Sequence, residues 1–131
     1  MNDEALVKIA SDMDESGRDI CHVLINRAEI PAPLVYDLAG NLKVLSHKLE
    51  QIAGHMARGL PPSLEVYAVY DLNEDGRSPE ESAAMAVAEL EQIEVLYRSA
   101  GQRLERVQRA INLQGHHGLK SEQDEDGEDR G

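Results

Sequence analysis

The spacing of apolar residues constrains this chain more than any other feature. Between residues 33 and 58 the apolar positions fall alternately three and four residues apart: Val35, Leu38, Leu42, Leu45, Leu49, Ile52 and Met56. This spacing puts them on one stripe of an α-helix, as in helices that pack lengthwise against each other. The pattern predicts a helix over residues 33–58, which Gly59 and the Pro61-Pro62 pair should end.

The same rhythm returns between residues 79 and 113. The apolar series there is Ala83, Ala86, Leu90, Ile93, Tyr97, Ala100, Leu104, Val107 and Ile111. Just before it, Ser78 suits an N-cap, Pro79 suits the first helical position, and Glu81 suits the third position of a capping box. These residues predict a helix that begins at residue 79.

A third helix is predicted over residues 3–30. Its apolar residues lie three or four apart once Ser16 is counted, and Pro31 and Pro33 should end it. The chain has no Trp and no Phe, which favours helix seams of aliphatic residues over a β-sandwich. The fold class predicted is all-α, with three long helices in an antiparallel bundle or coiled-coil-like array. The predicted domain covers residues 1–115, with a loop over residues 60–77.

Charge narrows the classes of partner. The net charge is −12, with 25 acidic and 13 basic side chains. Binding to nucleic acid and to anionic membranes draws on Lys and Arg, so neither partner is expected. Six of the acidic residues fall within the last ten positions, which predicts a disordered acidic tail over residues 116–131.

The expected compartment is the cytoplasm. The only cysteine, Cys21, cannot form a disulfide within the chain. The first residues are acidic where a secretory signal needs basic ones, and no apolar run approaches the roughly 20 residues of a membrane span.

The predicted third helix is longer than the predicted second, so part of its apolar stripe should remain uncovered. Acidic residues are concentrated in its first half and arginines in its second, which would let two copies lie antiparallel. These features predict a non-catalytic assembly protein that pairs with itself, or with another helical protein. The predicted interface consists of Leu90, Ile93, Leu96, Tyr97, Leu104, Val107 and Ile111.

A metal-binding function is the first alternative. Asp71, Asn73 and Asp75, followed by Gly76, resemble the first half of an EF-hand or dockerin calcium loop. That resemblance implies calcium bound by the three side chains. The second half departs from the pattern, because Ser82 stands where a bidentate glutamate is needed. A β-turn that leads into a capped helix explains the same residues.

Two pairs of carboxylate and histidine are weaker metal candidates. Asp19 and His22 share one helical face, as do His47 and Glu50. Helical di-metal sites use Glu-x-x-His twice, and neither pair has that order and composition. Polar helix surface explains both pairs as well. The sequence contains no catalytic motif that names a substrate, so an enzymatic role is left open.

A secreted effector is the second alternative. Tyr67-x-x-x-Asp71 and Tyr70-x-x-x-Glu74 resemble the Tyr-x-x-x-Asp/Glu export tag of helical-hairpin substrates of actinobacterial type VII secretion. The resemblance implies export of a helical hairpin. The Trp-x-Gly turn of that family is absent, because the chain has no Trp.

Overall fold

The computed structural model describes residues 2–115, 117 and 120, and it contains three α-helices. They are α1 (Asp3–Ile25), α2 (Ala32–Val66) and α3 (Pro79–Ile111), and the described residues form no strand. The prediction of an all-α protein with three helices is confirmed. The predicted tail, residues 116–131, lies outside the described residues except for His117 and Lys120.

Contacts within the chain divide it into two units. The first contains α1 and the connection as far as Leu34, and the second runs from Val35 to Gln114. The second unit is built by α2 and α3, which pack against each other. The predicted boundary between a domain over residues 1–115 and a tail stays a prediction.

Helix α1 ends earlier than predicted. Asn2 caps its start by accepting a hydrogen bond from the Ala5 N–H at 2.9 Å. At the other end, the Asn26 side chain donates to the His22 carbonyl at 2.9 Å. Asparagine competes for helical backbone groups in this way, so the helix stops at Ile25 before Pro31 can act. The predicted end at residue 30 was wrong.

Helix α2 ends later than predicted. It continues past Gly59 and through Pro61 and Pro62 to Val66, so the predicted end at residue 58 and the predicted loop over residues 60–77 were wrong. Each proline lacks an N–H but fixes φ near the helical value, as at the first turn of a helix. The Ser63 hydroxyl donates to the Leu60 carbonyl at 2.6 Å, within this turn. The connection to α3 shrinks to residues 67–78.

Helix α3 begins where the sequence predicted. The Ser78 side chain accepts a hydrogen bond from the Glu81 N–H at 3.1 Å, and Pro79 occupies the first turn. The helix ends at Ile111, two residues before the predicted end at residue 113. The N-cap serine therefore fixes the start of α3, as its chemistry requires.

Contacts along the second unit show that α2 and α3 are antiparallel. Gln108 donates to the Tyr36 carbonyl, Gly101 lies against Ser46, and Gly54 lies against Glu94. Each step forward along α2 is thus matched by a step backward along α3. The two helices are 35 and 33 residues long, so α3 is not the longer one. The expected overhang of the third helix was wrong, because it assumed that α2 stops at residue 58.

Candidate interaction surfaces of the second unit

The line along which α2 meets α3 is made of small residues. The residues of α2 that are buried are Ala39, Ser46, Ala53, Gly54 and Ala57, and on α3 the buried residue is Ala83. A Cβ placed on Gly101 would lie 3.7 Å from the Cβ of Ser46. We call this row of buried small residues the contact line. Small side chains bring the two backbones close together, so the larger apolar residues lie beside the line.

One side of the contact line is polar. Arg98 Nε donates to Glu50 Oε1 at 2.7 Å, and the Glu50 side chain is only 17% exposed. His47 Nδ1 lies 3.8 Å from the other oxygen of Glu50. An open groove of about 400 Å³ runs along these residues. We call this the polar side, and its central carboxylate is already held by Arg98.

The polar side continues toward both ends of the pair. Lys43 Nζ donates to Gln108 Oε1 at 3.1 Å, and Gln108 Nε2 donates to the Tyr36 carbonyl at 3.1 Å. At the other end, a Cβ on Gly54 would lie 3.1 Å from the Glu94 carboxylate. Glycine at this position lets that carboxylate approach the α2 backbone. The polar side is therefore a row of contacts that joins the helices, and the sequence reasoning missed it.

The opposite side is apolar. Successive helical residues are about 100° apart, so Leu42 lies about 80° from Glu50 around α2, across the contact line. By the same count, Leu104 lies about 120° from Arg98 around α3, again across the line. Because Glu50 and Arg98 bond to each other, the apolar residues of both helices share the other side. We call it the apolar side.

Large apolar residues on this side, and on the outer surface of α3 beside it, are exposed to solvent. Leu42, Ile52 and Met56 of α2 are each more than 40% exposed, and Leu96 of α3 is 65% exposed. Sequence reasoning placed the α2 residues in a packed seam and did not name them as a surface. The signal that could have separated them was the parallel series of small residues at positions 39, 46 and 53.

The structure sorts the predicted interface of α3 into two groups. Leu90, Tyr97, Leu104 and Ile111 are half-buried. Ile93, Leu96 and Val107 are exposed. The seven residues therefore differ in exposure. The second group offers the more exposed side chains to a partner, and the interface itself stays a prediction.

The predicted calcium turn is held by internal hydrogen bonds. Asp71 accepts from the Asn73 backbone N–H at 2.9 Å, from the Asn73 side chain and from the Ser82 hydroxyl. Arg77 donates to Asn73 Oδ1 at 2.6 Å and pairs with Asp75 at 2.8 Å. The side-chain oxygens proposed as calcium ligands thus accept hydrogen bonds from residues of the turn and from Ser82 of α3. Gly76 follows with a φ of 75°, which favours glycine.

These contacts also set the acidity of Asp71. The Ser82 hydroxyl and then the Asn73 backbone and side chain hold the pKa of Asp71 below its ordinary value of 3.8. Hydrogen bonds to a carboxylate favour its charged form. Asp71 is therefore the acceptor that joins the end of the connection to the first turn of α3.

Metal ligands do not gather in residues 2–115, 117 and 120, the turn included. Within that part of the chain, no three His, Cys, Asp or Glu side chains form a group that could hold a metal ion. Asp19 and His22 lie exposed on α1. Glu50 of the other pair is engaged by Arg98. The Glu50 carboxylate is therefore the ion-pair partner of Arg98, and His47 lies beside that pair.

Helix α1 carries its own exposed apolar stripe. The stripe consists of Leu6, Ile9, Met13, Ile20 and Val23. No residue of α1 is buried, and Cys21 is an exposed free thiol. The amphipathic pattern predicted for this helix is present, and its apolar face is open.

Comparison with protein-family models, curated proteins and solved structures returns no match. None of the described helices combines the length and the apolar character needed to cross a membrane.

Proposed function

We propose that this protein is a non-catalytic assembly module in which the exposed apolar residues of the α2–α3 pair bind another helix, first of all a helix of a second copy. The observation that carries the proposal is the exposure of Ile93, Leu96 and Val107 on α3, together with the exposed apolar residues of α2. A group of large apolar residues that is exposed on one face is typical of a binding surface.

Energetics support this reading. Burial of apolar surface contributes about 25 cal/mol per Å². A partner that covers the exposed stripes would therefore gain binding free energy from their burial. The polar side is already occupied by contacts that join α2 to α3, such as Glu50 with Arg98. The apolar residues are therefore the better candidates for contact with a partner.

The proposed compartment is the cytoplasm. Cys21 is an exposed free thiol, and such a thiol persists best where the surroundings are reducing.

The oligomeric state in solution tests the proposal. Light scattering at tens of micromolar should return twice the chain mass of 14.5 kDa. Ile93→Glu combined with Leu96→Glu should return the single-chain mass, because charges would then lie in the proposed interface. Val44→Glu is the matched control, since Val44 is exposed but lies on α2 away from the apolar side. A wild-type protein that stays at 14.5 kDa would contradict self-association.

A further inference from the structure

One stripe on the outer surface of α3, away from the contact with α2, has a symmetric arrangement of residues. We call it the outer stripe. Between residues 85 and 107, seven residues fall within about 80° of one another around the helix. They are Met85, Glu89, Gln92, Leu96, Ala100, Arg103 and Val107. Leu96 stands at the centre and is 65% exposed, and the two apolar ends, Met85 and Val107, are exposed as well.

The charged members of the stripe are placed symmetrically about its centre. Glu89 lies seven residues before Leu96, and Arg103 lies seven residues after it. At about 1.5 Å per residue, each is roughly 10 Å from the centre along the axis. Met85 and Val107 are likewise eleven residues from Leu96 on either side. A two-fold axis through Leu96 would therefore exchange acid with base and one apolar end with the other.

Both charged groups are available for a partner. Two of the other three arginines of α3 are engaged within the chain, Arg98 with Glu50 and Arg109 with Glu105. Within residues 2–115, 117 and 120, neither Glu89 nor Arg103 makes an ion pair, and both are exposed. The two charges that the symmetry would bring together are thus free of ion pairs within the described part of the chain.

We infer that two copies of this chain pair through α3 in antiparallel register about Leu96, with Glu89 of each copy beside Arg103 of the other. This inference rests on the proposed function and adds the register and the determinants of pairing. A two-fold contact is isologous, so each charge pair occurs twice. Met85 of one copy meets Val107 of the other, and the two Leu96 side chains meet at the axis.

Two single variants test the register. Glu89→Arg makes both flanking positions basic, and Arg103→Glu makes both acidic. Each homodimer then carries two repulsions in place of two attractions, and its Kd should rise by about tenfold or more. Glu89→Arg also reduces the net charge from −12, which favours self-association in general. Weaker pairing of that variant would therefore be specific to the register.

Mixing supplies the complementary result. An equimolar mixture of the two variants should form a heterodimer with a Kd close to that of the wild-type homodimer, because both charge pairs are attractive again. The double variant Glu89→Arg with Arg103→Glu should also pair with itself like the wild type. Sedimentation equilibrium measures each Kd, and circular dichroism confirms that every variant keeps its helix content.

Glu91→Arg is the matched control, because Glu91 carries the same charge change about 160° away from Glu89 around the helix. It should leave the Kd within about twofold, as expected for an exposed charge outside the contact. A wild-type dimer whose Kd does not respond to Glu89→Arg or Arg103→Glu would overturn this register and leave the proposed function standing. A wild-type monomer would overturn both. A parallel pair would give both single variants the Kd of the wild type.

Discussion

The contact line and the apolar side of the second unit lie next to each other, yet they are made of residues of opposite size. Along the line, Ala39, Ala53 and Ala57 are buried. Beside it, Leu42 and Met56 are exposed. The difference shows that the closeness of two helix axes, and not side-chain hydrophobicity alone, decides which stripe is buried. Small residues occupy the buried positions because larger side chains there would hold the helices apart.

The strongest test of this comparison is to enlarge the contact line. Ala53 is 1% exposed, so Ala53→Leu forces atoms into a filled space and should lower the free energy of unfolding by about 1–3 kcal/mol. Urea denaturation monitored by circular dichroism measures the change. Ala88→Leu, on the exposed surface of α3, is the control and should stay within about 0.5 kcal/mol. An equal response of both variants would show that the line is not tightly packed.

The second test concerns the exposed residues. If they bind a second copy, unfolding is coupled to dissociation, and each tenfold increase in concentration should add about 1.4 kcal/mol per dimer to stability. The Tm of the wild-type protein should then rise with concentration. Leu96→Glu should abolish that dependence, because it places a charge in the exposed stripe of α3. A concentration-independent Tm for the wild-type protein would mean that these exposed residues bind no second copy.

The third test uses two glycines of α2. At Gly59 a new Cβ would meet nothing within 4 Å, so Gly59→Ala should raise stability by about 0.5–1 kcal/mol through helix propensity. At Gly40 the Cβ would lie 2.7 Å from Gln108 Nε2. Gly40→Ala must displace Gln108 from the Tyr36 carbonyl and should lose that gain. Chemical denaturation of both variants measures the difference, and equal gains would argue against the close approach at Gly40.

The smallest effect is expected at the turn, outside both surfaces. Because the folded pKa of Asp71 is depressed, its carboxylate contributes stability above the ordinary pKa of 3.8, and that contribution is lost as pH falls through the folded value. The stability difference between the wild type and Asp71→Asn should therefore shrink on acidification. Glu74→Gln serves as the neighbouring control. Ser82→Ala should raise the pKa of Asp71 toward 3.8, as measured by NMR titration. An unchanged pKa would show that Ser82 does not set it.

Local signals in the sequence predicted local structure well. Ser78 and Pro79 fixed the start of α3 because capping depends only on neighbouring residues. The stop signals Gly59 and Pro61-Pro62 failed, because α2 continues through them to Val66. A proline pair removes two backbone N–H donors from the helix. Whether the helix continues despite this loss depends on the surrounding fold.

The candidate site was predictable only in part. The apolar rhythm led to the prediction of an interface on α3, and Leu96 stood out because it lies off the main series. The rhythm could not separate Leu104, which is half-buried, from Val107, which is exposed. Both residues belong to the same series of apolar positions three and four apart. Only the position of α2 determines which of them is covered.

The sequence by itself determined that the chain forms three helices, since period, caps and composition act over a few residues. Tertiary structure decided where α2 ends, which stripe of it is buried, and which charges of α3 remain unpaired. These outcomes depend on how closely two backbones approach, and a single helix period fits the row of small residues as well as the row of large ones. Contact between the helices decides which row is buried: the small residues lie in the contact, and the large ones face water.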